Sequence, residues 1–518
     1  MIHRSPYPDV LIPEQTLTEF VFADAVRRSD KAAVIEGPTG RTVSYGVLVD
    51  SIRRLGGGLA SSGFGPGRVL AIMAPNLLEY AMVFHAAAYA GGAVTTINPT
   101  YTAHEVHHQL VDSGATIFFT TSLFLDVASE GAVGTAVETI AVIGAGPPGL
   151  PSLADLMGEP LVDQVPVDLD EVVALPYSSG TTGLAKGVML THRNLVSNLV
   201  QTAAPVDVNE SDTVITVLPF FHIYGMQVLM NLGLSLGATI VTMPRFDLAQ
   251  FLQLHQDYGA IRAFVVPPMV LALARHPLVD EYDLSKLTWI NSGAAPLSAD
   301  LALEAGARLG CEVVQGYGMT ELSPVSHLTP PGGWKPGSVG VAAPNTETMI
   351  VDPGGGPLGF DEDGEVWVRG PQVMRGYLNN PAATASTIDA DGWLHTGDIG
   401  HVDEDGHLFV VDRLKELIKY KGFQVPPAEL EAILLTHPAV ADAAVVGLPD
   451  DEAGEIPVAF VAVRAGHQVS EEAIASFVAG QVAHYKQVRK VTFVEAIPKS
   501  ASGKILRRVL RDGATASD

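Results

Sequence analysis

The sequence contains little cysteine and little lysine. Its 518 residues include one cysteine, Cys311, so an intrachain disulfide is excluded, and the apolar surroundings indicate a small core residue. Lysine occurs 11 times, and only four lysines precede position 413, whereas Lys415, Lys419 and Lys421 fall within seven residues. A cationic cluster in such a chain indicates an anionic ligand, although a solvated face would give the same pattern.

Long apolar runs are also missing. The most apolar stretch, Tyr80 to Ile97, is interrupted by His85, Gly91 and Gly92, which favours a core helix running into a buried strand over a membrane span. The first ten residues lack the basic-then-apolar pattern of a secretory signal, and the last five carry no lipidation or peroxisomal address. The sequence therefore predicts a cytoplasmic protein.

Positive charge is scarce over most of the chain. The formal net charge is −26. From Arg413 onward 13 basic residues balance 13 acidic ones, so the first 412 residues carry the whole negative excess. An acidic surface of this kind repels nucleic acids and anionic membranes, and neither is expected as a partner.

Length and hydrophobic pattern predict more than one folding unit. Apolar runs at 69–75, 213–219, 238–244 and 261–268 alternate with helical patterns, which predicts an α/β fold with layered, mostly parallel sheets. From about Gly337 to Val411, short strands with glycine-rich turns predict a small antiparallel β subdomain. A compact α+β pattern follows, so we expect an N-terminal domain over 1–414 and a small C-terminal domain over 415–518.

The strongest local motif is YSSGTTGLAKGVMLTH at 177–192. Its glycines allow close backbone approach, its hydroxyls donate hydrogen bonds and Lys186 adds a point charge, which together predict phosphate binding. Alone, such a segment would more often be a flexible polar loop. The kinase-type P-loop is excluded by spacing, because Lys186 is followed by Gly187 and Lys504 by Ile505 where that motif needs serine or threonine.

Four more segments follow along the chain: SGAAPL at 292–297, QGYGMTE at 315–321, the run from WLHTGDIG to PPAELE at 393–431, and PKSASGKILRR at 498–508. Together with the loop at 177–192 they resemble the adenylate-forming superfamily of acyl-CoA synthetases, firefly-type luciferases and peptide-synthetase adenylation domains. The wording of PFFHIYG at 219–225, GYGMTELSP and KELIKYKGFQV is most similar to 4-coumarate:CoA ligases. Two departures, Ala185 for the usual proline and Pro426 for the usual alanine, remove no functional group.

The resemblance implies an AMP-forming acid:CoA ligase. Such an enzyme uses ATP and Mg²⁺ to make an acyl-adenylate, releases pyrophosphate, and then rotates its mobile C-terminal domain to transfer the acyl group to coenzyme A. It also implies a monomer or homodimer. Acids of the 4-coumarate or cinnamate type are expected, while a medium-chain fatty acid, or loading of a carrier protein in place of coenzyme A, remains an alternative.

The resemblance further assigns roles in the first half-reaction. Lys504 is expected to stabilise charge on the α-phosphate, Glu321 to bind Mg²⁺, and His222 to gate the approach of acid and thiol. Asp398 is expected to accept from the ribose hydroxyls, and Tyr317 to stack on adenine. The residues expected to bind ATP and AMP are Ser178, Ser179, Gly180, Thr181, Thr182, Gly183, Lys186, Gly293, Ala294, Ala295, Gln315, Gly316, Tyr317, Gly318, Thr320, Asp398, Arg413 and Lys415.

The second half-reaction is expected to use the lysine cluster. Lys415 lies where the family has its hinge, so rotation would bring Lys419 and Gln424 to the adenylate as catalytic residues. The residues expected to contact coenzyme A are Arg245, Lys421 and Gly422. The residues expected to line the acyl pocket are Tyr224, Gly225, Gln227, Val228, Asn291, Gly316, Pro324, Val325 and His327.

Overall fold

Seven strands form the largest sheet of the protein. The computed structural model describes residues 1–178, 185–450, 452–500 and 503–515. The central pairings of this sheet are parallel, and two antiparallel strands extend one edge. In spatial order the strands are Gly376–Tyr377, Lys186–Thr191, Val172–Ser178, Ala93–Thr96, Val69–Met73, Ala115–Thr121 and Thr139–Ile143.

The apolar stretch that precedes Ile97 forms a buried helix and a buried strand, as predicted. The helix Leu78–Tyr89 is buried along almost its whole length, and the strand Ala93–Thr96 is buried at every residue. Helix Leu78–Tyr89 packs on helix Tyr45–Ser61. Within the described ranges, no helix has both the length and the apolar character needed to cross a bilayer.

Two further sheets contain the other predicted apolar runs. One has four strands in the order Thr213–Thr216, Thr239–Thr242, Ala32–Glu36 and Thr42–Ser44, with parallel pairing except at the last strand. The other has five strands, which begin parallel and end antiparallel. Its order is Arg262–Val265, Trp289–Ser292, Glu312–Gly318, Val325–Leu328 and Val341–Ala342.

The predicted antiparallel subdomain is present, with one strand that the sequence pattern did not reveal. Its strands in spatial order are Ile2–Arg4, Glu347–Val351, Gly364–Arg369, Leu394–Val402 and Leu408–Arg413, and every pairing is antiparallel. The first strand has only three residues and pairs with a segment more than 340 residues away. A pairing so distant in sequence leaves no local signal, which is why it was missed.

The chain after residue 414 builds its own sheet and its own core. The sheet order is Phe423–Val425, Ile418–Tyr420, Gly454–Val463 and Val440–Asp450, and Lys490–Val494 pairs in parallel with Gly454–Val463. Two buried apolar clusters draw all their members from residues 418 to 510. The helices of this C-terminal segment are Pro427–Thr436, Glu471–Ala479 and Arg507–Thr515.

The helices of the preceding chain follow ordinary capping rules. In helix Ala103–Ser113, the Thr102 hydroxyl accepts from the Glu105 N–H, the Glu105 carboxylate accepts from the Thr102 N–H, and Gly114 ends the helix with a φ of 64°. The other α-helices are Leu17–Val21, Leu125–Ala132, His192–Val206, Leu232–Ser235, Leu248–Tyr258, Pro267–Arg275, Ala299–Leu309 and Pro381–Thr387. A π-helix over Tyr224–Asn231 leads directly into helix Leu232–Ser235. Short 3-10 turns occupy Ser122–Phe124, Ala154–Leu156, Pro277–Glu281, Thr320–Leu322 and His484–Lys486.

A buried amide links the largest sheet to the segment that leads into PFFHIYG. Asn76 follows strand Val69–Met73 and is 2% exposed. Its Nδ2 donates to the carbonyls of Thr216 and Leu218 at 2.8 and 2.9 Å, and its Oδ1 accepts from the Phe220 N–H at 2.7 Å. Three buried backbone groups of that segment are therefore satisfied by one side chain.

Replacing Asn76 with leucine should destabilise the protein by about 2–4 kcal/mol, because the Leu218 carbonyl and the Phe220 N–H lose their partner inside the core and the Thr216 carbonyl keeps only its bond from Met243. Urea denaturation followed by tryptophan fluorescence measures the loss. The exposed Asn209→Leu serves as a matched control, with a change of about 1 kcal/mol or less. Equal midpoints for the two variants would contradict the role given to Asn76.

Candidate active site

A cavity lies between the five-stranded sheet that begins with strand Arg262–Val265, the helix His192–Val206 and the π-helix Tyr224–Asn231. It continues into a cleft at the C-terminal segment. Lys504 is the residue of the C-terminal segment that lines the cavity. The cavity and the cleft share Ala294, Gly316, Tyr317, Gly318 and Lys504. The two spaces therefore meet at the glycine-rich end of strand Glu312–Gly318, beside the lysine.

Small residues allow the close approach of backbone at this junction. A Cβ on Gly293 would lie 2.8 Å from the Tyr224 ring, and one on Gly318 would lie 2.1 Å from the Pro324 carbonyl oxygen. Ala294 has a φ of 68°, and the Leu297 N–H that follows this turn donates to Gln315 Oε1 at 2.9 Å. The turn after strand Trp289–Ser292 is therefore tied to strand Glu312–Gly318.

Glu321 is a buried carboxylate with one oxygen fixed. It is 5% exposed, and its Oε1 accepts from the Ser178 hydroxyl at 3.0 Å and the Tyr377 hydroxyl at 2.8 Å. The Lys186 ammonium lies 4.1 Å from the centre of the Tyr377 ring. The structure thus gathers three of the residues that the sequence assigned to phosphate and metal binding: Ser178, Lys186 and Glu321.

The acidic side chains near the junction suit a metal ion that takes part of its ligands from the substrate phosphates. Among the described residues no group of three or more His, Cys, Asp or Glu side chains could hold a metal ion. Mg²⁺ is usually bound by one or two carboxylates together with water and substrate phosphates. A single carboxylate such as Glu321 fits that requirement.

Asp398 is the second buried carboxylate, at the wall of the cleft. It is 4% exposed, its Oδ2 accepts from the Tyr317 hydroxyl at 2.6 Å, and its Oδ1 accepts from Arg413 Nε at 3.1 Å. Asp398 and Arg413 are directly paired across neighbouring strands. Burial, followed by the Asp398 charge, raises the pKa of Tyr317 well above its ordinary value.

Lys504 projects from a tight hairpin of the C-terminal segment. Its backbone N–H donates to the Ser500 hydroxyl at 3.1 Å. Lys499, before the turn, forms an antiparallel bridge with Ile505, after the turn. Gly503, with a φ of 81°, sits against Val266, where a Cβ would lie 3.1 Å from the valine side chain. A side chain at position 503 would therefore press the hairpin away from the cavity.

Burial and several neighbouring charges act on Lys504 at the junction. Burial lowers the pKa of Lys504, as does Arg413, while the charges of Glu321 and Asp398 oppose that fall. Burial, and then Lys504, lowers the pKa of His222 to about 3, so the imidazole is neutral at pH 7. His222 lines the cavity as expected, as an uncharged group.

The residues predicted for the second half-reaction line neither the cavity nor the cleft in this structure. Their expected approach to the adenylate site is therefore not seen. Lys419 and Gln424 face each other across a two-stranded hairpin, and both are exposed. Lys421 pairs with Glu452 at 2.6 Å. The remaining residues of this group, Arg245, Lys415 and Gly422, are also exposed. The reason is geometric, because the C-terminal segment presents Lys504 to the cavity.

Most of the predicted acyl pocket lines the cavity, but two residues do not. Gln227 donates to the Leu195 carbonyl at 2.7 Å and accepts from Asn231 at 3.0 Å, so its amide is used inside the protein. Gly225 packs on Pro219, whose carbonyl oxygen would be 2.1 Å from an added Cβ. Seven predicted residues do line it, namely Tyr224, Val228, Asn291, Gly316, Pro324, Val325 and His327.

Eight residues of the cavity wall were missed by the sequence reasoning: Thr202, Val206, Ile223, Phe264, Trp289, Met319, Leu328 and Thr329. Alternation along strand Trp289–Ser292 would have indicated Trp289, which shares a face with Asn291. Ile223 and Met319 lie inside two of the motifs but were not assigned to the cavity, and the remaining five lie outside the motifs. Five residues of the predicted phosphate loop, Ser179, Gly180, Thr181, Thr182 and Gly183, lie outside the described residues.

Comparisons with known proteins identify the family. The model of the AMP-binding enzyme family matches residues 21–378, and that of the AMP-binding enzyme C-terminal domain matches residues 429–504. The chain belongs to the AMP-binding enzyme family. It is an AMP-forming acid–thiol ligase similar to 4-coumarate--CoA ligases, which confirms the predicted resemblance and enzyme class.

The similarity extends over nearly the full length. A rice 4-coumarate--CoA ligase (Oryza sativa subsp. japonica, number 5) is 45% identical, covering 98% of this chain and 97% of the relative, and a parsley one (Petroselinum crispum, number 2) is 44% identical, covering 99% and 96%. Among solved structures, ATP-bound MatB from Rhodopseudomonas palustris is 30% identical with a TM-score of 0.88, covering 96% of this chain and 99% of that one. The anthranilate CoA ligase AuaEII in complex with anthranoyl-AMP is 25% identical with a TM-score of 0.91, covering 98% and 99%.

As the pH is raised, the acid-activating step should lose activity before the pH reaches 10.5, the ordinary pKa of lysine. The reason is that the lowered pKa of Lys504 makes this lysine release its proton at a lower pH. His222 should add no titration between pH 5 and 8, since its pKa is near 3. The pH profile of kcat/KM for ATP, which reports the free enzyme, measures both. Tryptophan fluorescence at each pH checks folding, and an alkaline limb centred above 10.5 would contradict the assignment.

Proposed function

We propose that this protein converts acids of the 4-coumarate or cinnamate type into their coenzyme A thioesters through an acyl-adenylate. The observation that carries the proposal is the position of Lys504, which lines both the cavity and the cleft and is subject to the charges of Glu321 and Asp398. The acid would occupy the cavity and the nucleotide the cleft. The relatives named 4-coumarate--CoA ligase support this choice of acid.

In the first half-reaction the carboxylate of the acid attacks the α-phosphorus of ATP, and pyrophosphate leaves. Negative charge builds on the phosphorus oxygens, and a preorganised cation in a partly desolvated site stabilises it. Lys504 supplies that cation at the meeting point of the two spaces. Glu321 would hold Mg²⁺, which neutralises phosphate charge when bound, and Ser178 and Tyr377 keep its carboxylate oriented.

The nucleotide would be positioned by groups that are already fixed in the structure. The Asp398 carboxylate retains lone pairs for the ribose hydroxyls while Tyr317 and Arg413 hold it. Tyr317 also lines the cleft together with Ala294 and Ala295, as an adenine slot requires. Lys186 would contact the leaving phosphates.

In the second half-reaction we propose that residues 415–518 rotate on residues 1–414. Lys415 is exposed in the turn after strand Leu408–Arg413, between Leu414 and Glu416, whose N–H groups donate to the carbonyls of Gly397 and Arg413. Rotation would withdraw Lys504 and bring the hairpin of Lys419 and Gln424 to the adenylate, with Arg245, Lys421 and Gly422 toward coenzyme A. The oligomeric state and the cytoplasmic location stay predictions.

Pyrophosphate release measured over a panel of cinnamic, benzoic and medium-chain fatty acids tests the proposal. The greatest kcat/KM is expected for 4-coumarate or cinnamate, with coenzyme A consumed in equal amount. Absence of acid-dependent release would refute the ligase function. If a fatty acid is the best substrate, the proposed acid class is wrong and a fatty acyl-CoA ligase takes its place. Pyrophosphate release without coenzyme A consumption would indicate a carrier-protein loader.

Changing Lys504 to alanine should reduce adenylate formation by a factor of 10² or more while leaving thioester formation from a supplied acyl-adenylate within a few-fold, because the lysine acts in the first step alone. Rapid-quench assays of the two half-reactions measure the split. The exposed Lys286→Ala, which lines neither space, is the matched control. Equal losses in both steps would refute the role of Lys504.

A further inference from the structure

The polar groups on the wall of the cavity differ in how well they are satisfied. The Tyr224 hydroxyl accepts from Asn291 Nδ2 at 3.0 Å, and the ring nitrogens of His327 bond to the hydroxyls of Ser326 and Thr348, each at 3.0 Å. These groups are occupied by the protein itself. They are therefore weak candidates for recognising a substrate.

Two wall residues carry polar atoms that have no partner. The side chains of Thr202 and Trp289 are each only 3% exposed. Thr202 Oγ1 and Trp289 Nε1 are buried and make no hydrogen bond within the described part of the chain. Buried polar atoms are normally hydrogen-bonded, so two unpaired ones among the residues that line one cavity, one from the helix and one from the sheet, indicate a ligand that supplies the missing partners.

Both residues lie away from the nucleotide end of the cavity. Trp289 and Asn291 occupy the same face of strand Trp289–Ser292, and Gly293 follows at the turn beside the cleft. At about 3.3 Å per residue, Trp289 lies roughly 13 Å before Gly293 along this line. Neither Trp289 nor Thr202 lines the cleft, whereas Ala294, Gly316 and Lys504 line both spaces.

The surroundings of Trp289 hold its indole in place. The Phe264 ring packs against it edge-on, with 5.6 Å between the ring centres, and Phe264 is itself 2% exposed. Buried Val206 and Leu328 also line the cavity. The unpaired N–H thus sits in an apolar environment, where a hydrogen bond gained or lost has a large effect on binding.

We propose that Trp289 and Thr202 determine specificity at the distal end of the acyl site, by hydrogen bonding to an oxygen carried by the acid at the end remote from its carboxylate. This inference rests on the proposed function. The indole N–H only donates, and the threonine hydroxyl both donates and accepts. A phenolic hydroxyl satisfies both groups, because its oxygen accepts from Trp289 and its proton is donated to Thr202.

A hydrocarbon end satisfies neither group. An alkyl tail or an unsubstituted phenyl ring would fill the same space and leave both polar atoms desolvated and unpaired. Sites built to bond a substrate hydroxyl reject the analogue that lacks it far more strongly than apolar pockets reject a change of size. The distal pair therefore selects phenolic acids over fatty acids and over the unsubstituted aryl acid.

The test compares 4-hydroxycinnamate, 4-methylcinnamate, cinnamate and hexanoate as substrates of the wild type and of three variants. The wild type should prefer 4-hydroxycinnamate over 4-methylcinnamate, which has the same shape, by at least tenfold in kcat/KM. Trp289→Phe and Thr202→Val should each reduce that preference about tenfold while cinnamate changes less than threefold. Thr202→Ser, which keeps the hydroxyl, should retain the wild-type preference.

Several outcomes would overturn the inference. A wild type that uses the methyl and hydroxyl substrates equally, or that prefers hexanoate, would refute distal recognition, and this comparison does not depend on whether a variant folds. Equal losses for hydroxycinnamate and cinnamate in both variants would indicate a structural role. If no acid in the series supports pyrophosphate release by the wild type, the proposed function itself fails, which is a separate result.

Discussion

The site depends on one buried cation in an otherwise acidic protein. Lys504 loses hydration on entering the cavity, which lowers its pKa, and the charges of Glu321 and Asp398 partly restore it. Within the described structure, no direct ion pair to either carboxylate neutralises this lysine. Its charge therefore remains available for the phosphate oxygens, which gain negative charge during the reaction.

The carboxylates can play this part because other side chains fix them. Glu321 is held by Ser178 and Tyr377, and Asp398 by Tyr317 and Arg413. Ser178 and Tyr377 belong to the seven-stranded sheet, Tyr317 to the sheet of strand Glu312–Gly318, and Arg413 to the antiparallel subdomain, so three sheets support the site. Preorganisation of this kind removes the reorganisation that a flexible or aqueous site would need as charge develops.

The sequence was enough to predict which segments meet, because each motif ends a strand or fills a turn whose chemistry is local. The apolar runs became buried strands, Asp398 and Lys504 line the same cleft, and the charge of Glu321 acts on Lys504, while the catalytic roles of the three residues stay predictions. Orientation was harder. Gln227 turns inward to Leu195 because the π-helix sets its direction, and Trp289 faces the cavity because of strand alternation. Such outcomes depend on register and helix rotation, which no short motif specifies.

The charge asymmetry of the chain now has a structural counterpart. Among the cations of the C-terminal segment, Lys504 lines the cavity, whereas Lys415, Lys419 and Lys421 are exposed. Contacts that cross residue 414 include the Asp412 carboxylate on the Ala428 N–H at 3.0 Å and Arg275 on the Leu435 carbonyl at 3.3 Å. Single hydrogen bonds such as these each contribute only about 1 kcal/mol. Bonds of that strength can hold one orientation and still release it, as the rotation proposed above requires.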